Sequence, residues 1–228
     1  MTNKQQTRQP IITVAGHVDH GKTSILDAVR NTNVYDTEAG GITQKISFTK
    51  IPIEEINKSC PLLKQNNINL DFPGFLFIDT PGHAAFSHLR KRGGSLADLA
   101  ILVIDINDGL KPQTIEVLQI LKLNKIPFII ALNKIDNISG WRKQSTTIKE
   151  NIESQSTITK DSYTEKLLTI IGSLQHHGFN SKPFYEIQDF TKELALVPCS
   201  AKTNEGIQEL IFTLAGLSQK FLKEILKL

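Results

Sequence analysis

The segment Gly16-His17-Val18-Asp19-His20-Gly21-Lys22-Thr23 matches G-x-x-x-x-G-K-[ST], a spacing suited to holding phosphate. Gly16 and Gly21 let backbone N–H groups curl around a β-phosphate. A helix beginning near Lys22 aims its positive dipole end at the same anion. The Lys22 ammonium reaches β- and γ-oxygens, and the Thr23 hydroxyl can join Mg²⁺. The phosphate contacts are therefore expected from Val18, Asp19, His20, Gly21, Lys22, Thr23 and Ser24.

A base pocket is expected downstream. Asn133-Lys134-Ile135-Asp136 follows the apolar run PFIIAL. A carboxylate at Asp136 accepts from the N1–H and 2-amino groups of guanine, whereas adenine presents an acceptor at N1 and has no 2-amino group. A site built on such bonds rejects the wrong analogue by about 10⁴. Asn133 either bonds O6/N7 or ties the pocket together, and the methylene stem of Lys134 can lie against the ring. Ser200-Ala201-Lys202, after LALVP, would close the other side with the Ala201 N–H near O6. Each motif is weak alone; their order after a phosphate loop makes the set specific.

The strand GFLFID ends in Asp79, placed to hold Mg²⁺ through a water, since that ion keeps several waters and takes few protein ligands. Gly82 can present its N–H to a γ-phosphate. Thr43, in Gly40-Gly41-Ile42-Thr43-Gln44, offers a second hydroxyl to Mg²⁺ while the γ-phosphate holds that loop. His83, in IDTPGHAAF, admits three readings on its own: metal ligand, catalytic group, or polar residue opening a helix. His88, His176 and His177 read as surface or packing residues, and Cys60 and Cys199 as free thiols with no metal-like spacing.

These groups need a scaffold. Apolar runs at 11–15, 75–78, 99–105, 127–132 and 194–198 alternate with helix-like stretches at 22–30, 84–92, 112–123, 162–177, 204–214 and 217–227. Continuous rather than alternating apolar strands predict an α/β fold, a mostly parallel six-stranded sheet with helices on both faces. Residues 54–71 and 139–160 are polar and are expected to ride on the surface. With 39% hydrophobic and 21% charged residues the chain has globular composition, and no apolar run approaches the ~20 residues of a membrane span. The polar N-terminus lacks a secretory h-region, so a cytoplasmic location is expected; a monomer is expected as well. A net charge of +3 is too small to argue nucleic-acid binding from composition. The run Arg90-Lys91-Arg92 is read as a solvated face or an RNA contact.

Together GHVDHGKT, GGITQ, DTPGH, NKID and SAK resemble a translational GTPase. GGITQ, LRKRGGSLADLAILVIDINDGLKPQT and NKIDNISGWR look most like the GTPase domains of the initiation factor 5B family, the archaeal and eukaryotic relatives of bacterial initiation factor 2. The resemblance implies a P-loop GTPase that binds GTP and GDP, uses Mg²⁺, and promotes ribosomal subunit joining. It implies that His83 orients the attacking water behind an apolar gate of Val18 and Ile42. It further implies that Asp19, with a carbonyl near Gly41, can hold a monovalent cation, K⁺ or Na⁺, in place of an arginine finger; the alternative is a structural carboxylate capping backbone N–H groups. Large-subunit RNA would activate an unaided rate of about 10⁻⁴ to 10⁻³ per second. Residues 1–9 are expected as a flexible tail, 10–216 as the GTPase domain, and 217–228 as a helix leading to absent downstream domains, through which initiator tRNA would bind. Lys45, Ser47 and Ala84 depart from the family's usual His, Gly and Glu. An elongation factor, a tRNA-carrying initiation GTPase and a non-hydrolysing scaffold compete; GGITQ and RKRGG argue against the first two, and His83, Thr43 and Asp79 against the last.

Overall fold

The computed structural model describes residues 7–31, 47–79, 97–222 and 226. Seven strands form one sheet: β1 (Ile11–Gly16), β2 (Ser47–Pro52), β3 (Gly74–Asp79), β4 (Leu99–Asp105), β5 (Phe128–Asn133), β6 (Ser181–Pro183) and β7 (Leu194–Pro198), in the order β2-β3-β1-β4-β5-β7-β6. All pairings are parallel except that of β2 with β3. The sheet therefore has seven strands rather than the expected six. Neither β2 nor β6 is among the apolar runs: β2 reads Ser-Phe-Thr-Lys-Ile-Pro, and the three residues of β6, Ser-Lys-Pro, carry no apolar run to announce them.

The continuous apolar strands are explained by burial on both faces. In β4 every residue is buried, and alternate side chains enter different cores. Ile101 and Val103 join Ile12, Ile25, Leu210 and Leu214, while Leu102 and Ile104 join Leu118, Leu121, Tyr163 and Leu174. Period-two geometry thus divides one hydrophobic run between two layers.

The first layer is built by α1 (Lys22–Asn31), α2 (Ile53–Ser59), α3 (Pro61–Gln65) and α7 (Ile207–Leu222). The second is built by α4 (Pro112–Leu123), α5 (Ile148–Glu153) and α6 (Thr157–His176). Two helices expected at 204–214 and 217–227 are one, because Leu214, Ala215, Leu217, Ser218 and Leu222 continue a single buried face through residue 216. The expected domain boundary at 216/217 falls inside that helix.

The two polar stretches are not mere surface. Ile56, Cys60 and Leu63 are buried within 54–71, and Ile148, Asn151 and Ile152 within 139–160. The expected tail is fastened at its end: Arg8 pairs with Asp98 at 2.5 Å, and Thr7 Oγ1 donates to the Asp71 carbonyl at 2.9 Å. No helix among the described residues is long and apolar enough to cross a membrane. The helix expected at 84–92 lies outside the described residues.

Candidate functional site

Parallel register brings the candidate groups to one edge. Val14 pairs with Asp79, Gly16 with Val103, and Asp105 with Asn133, while Leu132 pairs with Pro198 just before Ser200. These are carboxyl ends of strands, where open α/β sheets bind ligands.

The phosphate loop leaves β1 through a backbone that tolerates no side chain. Gly16 has φ +145, and a Cβ there would lie 2.3 Å from the Val103 carbonyl oxygen. Gly21 has φ +89, and its Cβ would meet Asn133 Nδ2 at 2.4 Å. After Gly21 the chain turns into α1, with the Ile25 N–H donating to the Gly21 carbonyl at 2.9 Å. Lys22 Nζ spans the loop and donates to the His17 carbonyl at 2.7 Å. Val18, Asp19, Thr23 and Ser24 are exposed.

His20 faces inward. It is fully buried, its Nε2 is 3.7 Å from Asp108 Oδ2, and its ring meets that of His17 edge-on at 5.1 Å. Burial pushes its imidazole below the ordinary value, against the opposing pull of Asp105. His20 therefore underlies the loop, with its backbone N–H donating to the His17 carbonyl at 3.4 Å and its carbonyl accepting from Asn133. His17 in turn is held by Gln113 of α4, with Nδ1 and Oε1 2.5 Å apart.

Asn133 is the joint of the site. Its Nδ2 donates to the His20 carbonyl at 2.9 Å, and its Oδ1 accepts from the Ala201 N–H at 3.1 Å. Of the two expected roles, tying the pocket together is the one this geometry carries. Ser200 Oγ donates to Asp136 Oδ1 at 2.6 Å and accepts from the Thr203 N–H at 3.1 Å, which fixes the carboxylate beside the Ser200-Ala201-Lys202 loop. Lys134 sits in the left-handed region at φ 64 and sends Nζ to the Asp19 carbonyl at 2.6 Å and to Asp105 Oδ2 at 3.0 Å. Its stem thus bridges the base loop and the phosphate loop.

Asp105 escaped sequence reasoning, although it closes an apolar strand at the ligand-binding edge. Burial alone would raise its carboxyl. The Asn107 N–H, the Lys134 ammonium and the Asn107 amide outweigh that and hold it below the usual carboxylate range. Asn107 Nδ2 also reaches the Lys134 carbonyl at 3.1 Å. Glu205, Trp141 and Asn151 were missed as well: Trp141 Nε1 and Asn151 Nδ2 both donate to Glu205 Oε1, at 3.1 and 2.5 Å.

Asp79 ends β3, its backbone paired with Val14 of β1 two residues before Gly16. The alcohol of Thr23 and a carboxylate at Asp79 are hard oxygen donors of the kind Mg²⁺ takes. Gly41, Ile42, Thr43, Gly82, His83 and Ala84 lie outside the described residues, as do Lys45 and Arg90-Lys91-Arg92. No cluster of three or more His, Cys, Asp or Glu residues able to hold a metal occurs among the described residues. A cavity of about 340 Å³ lies at the opposite end of the sheet, against Phe128, Phe179, Phe190 and Phe221, remote from these groups.

Comparison with known proteins agrees with this geometry. Residues 7–220 match the family model described as the elongation factor Tu GTP binding domain. The probable translation initiation factor IF-2 of Methanopyrus kandleri is 50% identical over 223 residues, 97% of this chain and 37% of that protein. The corresponding protein of Thermococcus onnurineus is 52% identical over 226 residues, 98% of this chain and 38% of that one. The crystal structure of GDP-bound aIF5B from Aeropyrum pernix superposes with a TM-score of 0.86 at 49% identity, covering 97% of this chain and 38% of that chain. The chain thus spans less than two-fifths of the length of these relatives.

Proposed function

The chain belongs to the family of elongation factor Tu GTP-binding domains, and on that premise we propose that it is the GTP-hydrolysing switch of a translation initiation factor that promotes ribosomal subunit joining. The observation that supports this most is the double tie of Asn133, to the phosphate loop through His20 and to the base loop through Ala201. It assembles a phosphate cradle and a guanine-selective carboxylate into one site.

In this reading the loop from Val18 to Ser24, with Gly82, binds the phosphates. Asn133, Lys134, Asp136 and the Ser200-Ala201-Lys202 loop select guanine. GTPases of this family generally use Mg²⁺ with GTP; Thr23, Thr43 and Asp79 through a water would hold it, and it would neutralise charge on the phosphates. His83 orients the attacking water in line with the γ-phosphorus, and Val18 and Ile42 keep its ring away until large-subunit RNA of the ribosome draws it in. Phosphoryl transfer asks mainly for such positioning. The Asp19 carboxylate and a carbonyl near Gly41 would hold a monovalent cation, so hydrolysis indifferent to K⁺ and Na⁺ removes that part. Initiator tRNA would be bound by other parts of the full-length factor.

The decisive experiment exchanges Asp136→Asn. An amide there donates where the carboxylate accepts, so the variant should lose GDP and gain xanthosine diphosphate by at least about tenfold each. An unchanged preference in calorimetric titration sinks the guanine assignment. Hydrolysis is tested apart from binding: on ribosomes His83→Ala should bind GTP normally and turn over at least about 100-fold more slowly.

A further inference from the structure

The stretch 139–160 reads as a polar insertion, yet its side chains reach the base loop. Glu205 and Asn151 are 4% and 1% exposed. Glu205 Oε1 accepts from Trp141 Nε1 at 3.1 Å and from Asn151 Nδ2 at 2.5 Å, and its Oε2 accepts from Thr203 Oγ1. The same residue closes a backbone bridge, with the Ser200 N–H donating to the Glu205 carbonyl at 2.9 Å and the Glu205 N–H to the Ser200 carbonyl at 3.2 Å. Ser200 then holds Asp136, and the neighbouring Ala201 N–H holds Asn133. Lys143 adds a second strap, its Nζ donating to the Thr203 carbonyl at 2.9 Å.

A buried carboxylate whose acceptors are taken by fixed donors has one low-energy arrangement, because a displaced loop leaves those donors or the charge itself unpaired. Here the donors come from the stretch after Asp136 and from α5, and the acceptor comes from the loop that carries Ser200 and Ala201. We propose that Glu205 is a positioning residue for base selection, and that Trp141 and Asn151 clamp through it the loop that presents Ser200 and Ala201 to Asp136 and Asn133. The proposal rests on the guanine reading of that pocket. It makes 139–160 part of the specificity apparatus, and it places the chain's single tryptophan one carboxylate away from the base loop.

The test titrates the 228-residue chain with GDP, IDP and ADP, IDP lacking the 2-amino group that Asp136 accepts from. Glu205→Ala should weaken GDP roughly tenfold, narrow the GDP-to-IDP ratio, and leave the weak ADP binding unchanged. Glu205→Gln keeps the Oε1 acceptor and should stay within about threefold of wild type. Because emptying a buried acceptor can cost the fold, Trp141→Phe carries the same test: it deletes one N–H, keeps a ring against Tyr163, whose centroid lies 6.0 Å away, and should weaken GDP about threefold while narrowing the ratio. Equal weakening of all three nucleotides, or unchanged GDP affinity and ratio in both Glu205→Ala and Trp141→Phe, overturns the proposal while leaving the guanine reading intact. A wild type without preference for GDP over ADP, or an Asp136→Asn variant that gains no xanthosine diphosphate, overturns both.

Discussion

At Gly21 a single hydrogen atom decides whether two binding loops can meet. The residue sits at φ +89, and a methyl group there would lie 2.4 Å from the Asn133 amide nitrogen that bonds the His20 carbonyl. Gly21→Ala must either strain the loop or push Asn133 off its partner. The expected cost is about 1–3 kcal/mol in stability, from backbone strain and overpacking. A larger loss should appear in GDP affinity, at least about tenfold, because the same shift also frees the Ala201 loop. Thermal denaturation with calorimetric titration checks both; a variant that loses stability but keeps wild-type GDP affinity would separate Gly21 from the site. Residues such as Gly21, Asn133 and Asp136 are legible because their chemistry is local and their spacing fixed. Asp105 and Glu205 were not: each acts through a partner far along the chain, Lys134 or Trp141, and a lone acid in a sequence does not name its partner.

Elements show the same division. Five of the strands were readable because burial on both faces demands uninterrupted apolar runs, which β2 and β6 lack, and α4 was found with its observed limits because Pro112 and Asn124 bracket it. The fusion of two expected helices into α7 was not readable, since it depends on which face the sheet covers. That helix carries Glu209, 2% exposed, whose Oε1 accepts from the Ile148 N–H at 2.9 Å while Oε2 has no hydrogen-bond partner among the described residues. Burial pushes its carboxyl above the ordinary value, only partly opposed by the Ile148 N–H. The folded chain therefore keeps a proton that the unfolded chain releases near pH 4.5. Stability attributable to this group is fully present below the unfolded value and is lost as pH rises through the folded one. Glu209→Gln keeps the Oε1 acceptor and carries no charge, so it should be more stable than wild type at neutral pH by about 1 kcal/mol. The advantage should shrink as pH falls toward 4.5. Urea midpoints across that range check it, and an advantage that grows on acidification contradicts the assignment.

Across the whole molecule, one end of the strands gathers the candidate nucleotide groups and the other holds the chain together. The Arg8 guanidinium grips both oxygens of Asp98, at 2.5 and 2.7 Å, and Asp98 Oδ2 also accepts from the Ile11 N–H at 2.8 Å. The Arg8 N–H donates to the Leu226 carbonyl at 2.9 Å, so the start of β1, the start of β4 and the chain beyond α7 are fastened at one point. The Asp98 carboxylate has a side chain only 11% exposed, and losing its charge leaves the guanidinium without its partner. Asp98→Asn should lower stability by about 1–3 kcal/mol. The clasp lies at the amino ends of the strands and the nucleotide groups at their carboxyl ends, with a packed, stiff sheet between, so GDP affinity should stay within about twofold of wild type. Binding then acts as a separate, additive source of stability: GDP at 100 times its Kd contributes about 2.7 kcal/mol to either protein. Saturated Asp98→Asn should accordingly unfold near the midpoint of nucleotide-free wild type, and saturated wild type above both. If GDP restored less to the variant than it adds to wild type, the two ends would be energetically coupled through the sheet, and the separation of fastening from function would be lost.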